Sequence, residues 1–119
     1  MTARKRPWSV TVLAVLYIAM GTLGFTYDLY SIAVAPRLPG DLVLGALTEA
    51  AAIVSGAFLL RGARWAQWLA LAWIAFHVAI SLDALLATAV HGALLIVIAW
   101  GLFHREARAY FQATAQTAA

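Results

Sequence analysis

The side chains of this sequence that could do chemistry are Asp28, Glu49, His77, Asp83 and His91, each set within or at the edge of a long apolar run. A carboxylate that interrupts such a run can carry a proton or hold a cation. An ionised group at the centre of a bilayer costs about 2.5 to 3.5 kcal/mol on insertion scales, so a residue of this kind is a functional candidate with a partner to be named. Glu49 is the foremost. Either burial keeps it protonated or a protonated His77 pairs with it. It reads as a proton-linked or cation-binding carboxylate, or else as an interhelical hydrogen bond or a contact with another subunit. His77 and His91 bring imidazole nitrogens that could ligate haem, a pigment or a metal ion, although their spacing matches no ligand motif. Ser81 lies one helical turn after His77 with Asp83 nearby, but Asp83 falls on another face and no oxyanion-hole loop is visible, so no hydrolytic triad is read here. No GxGxxG, P-loop or HExxH occurs, and the chain is not expected to be an enzyme.

The elements that position these residues follow from composition. Of 119 residues, 65% are apolar and 11% charged, against roughly 45 to 50% and about 25% in a soluble domain. A membrane-spanning helix needs about 20 mostly apolar residues, so the chain fits about four spans and has no room for a separate soluble domain. The reading is an all-α integral membrane four-helix bundle formed by the whole chain, 1–119. The absence of cysteine excludes disulfides, thiolate nucleophiles and Cys-ligated zinc or iron-sulfur clusters. The net charge of +3 is split into short groups beside apolar runs. These read as membrane flanks rather than a nucleic-acid face.

The spans are expected at about 8–30, 41–60, 65–82 and 84–103, followed by a cytoplasmic tail, 104–119, that lies along the surface before fraying. The first run follows Arg4-Lys5-Arg6-Pro7-Trp8 and is longer than a signal-peptide core. Pro36, Pro39 and Gly40 mark the first loop, Asp41 is a candidate N-cap, and Arg61-Gly62-Ala63-Arg64 is a tight turn. No Gly or Pro occurs between Arg64 and Gly92. The third reversal is placed near Asp83 because a single helix from Trp65 to Phe103 would be nearly twice a membrane's thickness. The fourth helix then begins at about Ala84 or Thr88.

With four spans, Arg4, Lys5, Arg6, Arg61, Arg64, Arg105 and Arg108 share one side and only Arg37 faces the other. Both termini are therefore expected in the cytoplasm. Trp8, Trp65, Trp68, Trp100, Tyr110 and Phe111 fall toward the inner interface, Tyr27 and Tyr30 toward the outer. His104, beside Arg105, reads as a solvated flank.

In lipid, small residues and polar contacts hold helices together. Gly45, Glu49, Ala52 and Gly56 recur on one face of the second helix, and Tyr17, Gly21, Gly24 and Asp28 on one face of the first. These stripes are expected to meet, with Glu49 inward. Leu47, Val54, Phe58, Leu95 and Ile98 are expected to face lipid or partner helices. At 1.5 Å per residue, Glu49 lies roughly 12 Å beyond Asp41 and His77 roughly 9 Å before Asp83. His91 reaches the same level if the fourth helix begins near Asp83.

At Arg6-Pro7-Trp8-Ser9-Val10-Thr11, at Arg64-Trp65-Ala66-Gln67-Trp68-Leu69-Ala70-Leu71 with Phe76-His77, and at Phe103-His104-Arg105-Glu106-Ala107-Arg108-Ala109-Tyr110-Phe111, the chain resembles small bacterial four-helix membrane proteins of unassigned function. The resemblance implies a bacterial inner-membrane location and brings no activity or cofactor with it. Small multidrug transporters have similar length, but their membrane carboxylate lies in the first helix and their charge bias is weak. Three functions remain. The foremost is a structural or accessory subunit of a respiratory or photosynthetic type of membrane complex, partnered by lipid and by other subunits or itself. The second is a homo-oligomeric proton-linked transporter using Glu49 and His77. The third is a haem-, pigment- or metal-binding protein using His77 or His91.

Overall fold

In the computed structural model, residues 5–35 and 39–118 are described; Arg4, Pro36 and Arg37, which entered the charge and turn expectations, lie outside them. Five helices run along the described residues, with no strand among them: α1 Trp8–Val34, α2 Pro39–Leu60, α3 Arg64–Ile80, α4 Leu85–Phe103 and α5 Arg105–Ala118. Of these α1, α2 and α4 are long and apolar enough to cross a membrane. With 17 residues, α3 is the shortest of the first four, about 25 Å of helix.

Local chemistry sets the boundaries. Helix α1 continues past the expected Tyr30 to Val34 and stops at Ala35, whose backbone is extended, as the residue before a proline must be. Helix α2 starts at Pro39, two residues before the expected N-cap. Proline costs nothing there, because the first helical N–H groups have no partner within the helix. Asp41 thus sits inside the first turn, where its charge favours the positive end of the helix dipole. At the other end of α2, Gly62 adopts φ 76°. Its N–H donates to the Leu59 carbonyl, and that of Ala63 donates to the Phe58 carbonyl, the paired bonds of a Schellman cap. A Cβ at Gly62 would also collide with Thr114 of α5.

The reversal between α3 and α4 uses neither glycine nor proline. Ser81 builds it. Its N–H and hydroxyl both turn back to the Val78 carbonyl, while its own carbonyl accepts from the Ala84 N–H and the Thr88 hydroxyl.

The start of α1 meets the end of α2, so the two run antiparallel, and their glycine faces meet. A Cβ on Gly21 would fall 2.6 Å from Ile53 Cγ1 and 2.7 Å from the Glu49 carbonyl, and one on Gly56 would fall 2.5 Å from the Ala14 carbonyl. Those backbones approach as closely as they do only because nothing projects between them.

The core is weighted toward one end, although Tyr17, Ala52 and Ile74 carry it to the middle of the bundle. Val10, Leu13, Ala14, Leu59, Ala66, Ala70, Ile98 and Leu102 form it, together with Ala107, Tyr110 and Phe111 of α5. This basal end holds the starts of α1 and α3 and the ends of α2 and α4. The distal end holds the end of α1, the start of α2 and the α3–α4 turn.

Several expectations change. The tail, expected to lie along the surface before fraying, is instead helix α5 as far as Ala118 and docks on the bundle, because Ala107, Tyr110 and Phe111 share a face and are buried. Tyr110 and Phe111 are therefore core residues and not interfacial ones. Ile98 is buried, and Leu95 and Phe58 pack against the core, whereas Leu47 and Val54 are exposed as expected. Trp8, Trp65, Trp68 and Trp100 stand exposed near the basal end, and Tyr27 and Tyr30 near the distal end.

Candidate functional site

Glu49 is held by a glycine on the facing helix. Its carboxyl lies against Gly24 of α1, where a Cβ would overlap it, and Oε2 is sealed from solvent. One turn earlier on α2, the Asp28 carboxylate lies against Gly45 in the same manner, 2.5 Å from where a Cβ would stand. Helix α3 joins at this level through the indole N–H of Trp73, which donates to the Thr48 carbonyl at 2.8 Å. The Trp73 ring lies 4.0 Å from that of His77, which is 5.8 Å from the ring of His91 on α4.

These residues enclose two adjoining hollows. One, of about 230 Å³, is lined by Glu49, His77 and His91 together with Gly24, Thr48 and Trp73. The other, of about 490 Å³, adds Asp28, Asp41 and Phe76 and shares Thr48, Glu49 and His77 with the first. Glu49, His77 and His91, which come from three different helices, thus border one space. Asp83 is exposed in the α3–α4 turn and lines neither hollow. Asp41, anticipated only as a cap, is a wall residue.

The pairing of Ser81 was not foreseen. Its hydroxyl lies 3.2 Å from Nδ1 of His91, not beside His77. The hydroxyl proton goes to the Val78 carbonyl at 3.0 Å, so the imidazole is not removing it and the pair is not a nucleophile with its base.

A second set of polar contacts, also missed, lies in the basal end. Ser9 Oγ donates to the Gly101 carbonyl and lies 2.9 Å from Nε2 of His104. Because His104 also stacks on Trp100 at 4.8 Å, it links α1 to α4 and is not the solvated flank expected. Gln67 Nε2 donates to the Leu102 carbonyl at 2.7 Å, and the Tyr17 hydroxyl to the Ala70 carbonyl at 2.6 Å. Arg6 and Tyr110 both donate to the carbonyl of Leu60. Ser9 and Gln67 were visible as polar residues inside apolar runs, and that was the available signal.

Among the described residues, no group of three or more His, Asp and Glu side chains is placed to hold a metal ion. No protein-family model, curated protein or solved structure matches the chain.

Proposed function

We propose that the chain is a multi-pass protein of the bacterial inner membrane, crossing it with α1 to α4 and keeping both termini in the cytoplasm, and that it serves as an accessory subunit of a larger membrane complex of respiratory or photosynthetic type. The observation that carries this reading is the weighting of the core toward the basal end. Packing is densest toward the basal end, while the distal half leaves large apolar side chains such as Leu82, Leu85 and Leu86 exposed around hollows lined by carboxylates and imidazoles. A bundle left open on one half presents surface to be covered. Arg6, Arg61, Arg64, Arg105 and Arg108 all belong to the basal end, which supports its cytoplasmic placement. Helix α3, although short, is held between α2 and α4 by the Thr48 and Leu102 bonds, which supports its crossing with them. Purification from the native membrane in mild detergent tests the reading: other membrane subunits should elute with the chain, and recovery as a free monomer alone overturns it.

A second reading, a homo-oligomeric proton-linked transporter, is favoured by one specific observation: Glu49 and His77 share both hollows. On this reading, Glu49→Gln abolishes flux into vesicles while expression is kept.

A further inference from the structure

The tautomers of the two distal histidines are set by their neighbours. His77 Nδ1 lies 2.9 Å from the Trp73 carbonyl. A carbonyl only accepts, so Nδ1 carries the proton, and Nε2 of the neutral ring is an acceptor. His91 Nδ1 faces the hydroxyl of Ser81, whose own proton is committed to Val78. His91 is therefore the donor in that contact, and its Nε2 too is an acceptor.

The donors on the same walls are already used. The Thr48 hydroxyl donates to the Leu44 carbonyl at 2.8 Å, and the Trp73 indole N–H to that of Thr48. What the hollows offer is one sided: imidazole lone pairs, the carboxylate of Glu49, further carboxylates at Asp28 and Asp41, and the aromatic faces of Trp73 and Phe76. The larger hollow, about 490 Å³, is of the size of a small-molecule site.

We infer that this paired hollow binds a small protonated amine, primary or secondary, with an apolar or aromatic body. The ammonium takes the place of the proton expected on Glu49 or His77: its charge answers the carboxylates, its N–H groups answer the Nε2 atoms of His77 and His91, and its body rests against the aromatic rings. A quaternary ammonium carries the same charge but has no N–H to give, and an anion meets only acceptors. The site stands independently of any partner subunit, so failure to recover a complex and failure to bind amine are separate results.

The chain contains three histidines, which makes imidazole nitrogen resonances a direct readout. Full-length protein with ¹⁵N-labelled histidine, in nanodiscs of phosphatidylcholine, is titrated with 2-phenylethylammonium and, separately, with its N-trimethylated counterpart. The expected result is a saturable shift of the Nε2 resonances of His77 and His91 with His104 unmoved, and half-saturation at about tenfold higher concentration or more for the trimethylated probe, the value of one lost hydrogen bond to a charged donor. Glu49→Gln should remove the saturable shift. Equal half-saturation for the two probes overturns the inference, as does a shift that never saturates or that His104 shares, since each marks simple partitioning into the bilayer. Should Glu49→Gln disturb His104 and so the fold, the comparison of the two probes on the unaltered protein still decides.

Discussion

At the basal end, helices are joined by side chains that reach across to a neighbour's backbone: Arg6 and Tyr110 to Leu60, Ser9 to Gly101, Gln67 to Leu102. At the distal end, the Ser81, Thr88 and His91 side chains bond within the α3–α4 turn, and the carboxylates of Asp28 and Glu49 lie against glycines. Lipid supplies little hydrophobic drive between helices, so close packing and polar contacts decide where a bundle is firm. The basal end has both. The distal end packs α1 on α2 through its glycines and joins α3 through Trp73, but it turns carboxylates and imidazoles toward a hollow, and ligand-binding elements are drawn from the less stable part of a fold.

The sharpest way to break this contrast is to empty the basal core. Phe111→Ala should lower stability by about 3 to 5 kcal/mol, measured by thermal unfolding in detergent; a loss no larger than that of an exposed site would show that α5 is dispensable. Next comes the glycine comparison. Gly56→Ala places a methyl group against the Ala14 backbone and should cost about 1 to 3 kcal/mol. Gly92→Ala, in the distal half, meets nothing within 4 Å and should be neutral or stabilising by up to about 1 kcal/mol. Similar shifts from the two would erase the distinction between the ends. The smallest effect belongs to Leu86→Ala, distal and 78% exposed, which should change the unfolding midpoint by the equivalent of about 0.5 kcal/mol or less. A larger loss in native membranes than in detergent would sharpen the contrast by locating a partner on that surface.

Much of the α1–α2 contact could be read from spacing, because glycines at Gly21, Gly24, Gly45 and Gly56 stand out against larger neighbours at the helical period. The end of α2 was legible for a related reason: Gly62 is the residue that a left-handed cap favours. In α4 the same approach fails. Nearly every position there is apolar, so the sequence has no contrast between a side chain facing lipid and one facing the core, and Leu95 and Ile98 were assigned to the wrong side. Helix α5 was obscured by the polar residues around Tyr110 and Phe111, whose burial depends on a surface made by the other helices. At the site, counting along the helices brings Glu49, His77 and His91 to one level if the fourth helix starts early, as it does at Leu85. The choice of His91 over His77 as the partner of Ser81 depends on the shape of the turn, which spacing does not encode.

The carbonyl of Leu60 receives both Arg6, just before α1, and Tyr110, in α5, and Thr114 of α5 stands over the cap at Gly62. Chains emerge from the ribosome N-terminal end first, so Tyr110 and Thr114, the α5 side of this junction, are made after all of the apolar helices. Insertion and closure are thereby separated in time. The bonds among the apolar helices, such as Ser9 to Gly101 and Gln67 to Leu102, are available before α5 exists, and the contacts from Tyr110 and Thr114 are added only when the following segment folds back onto them. A chain stopped after Phe103 would keep every apolar helix and the Arg6 half of the junction, and lose the half that α5 supplies.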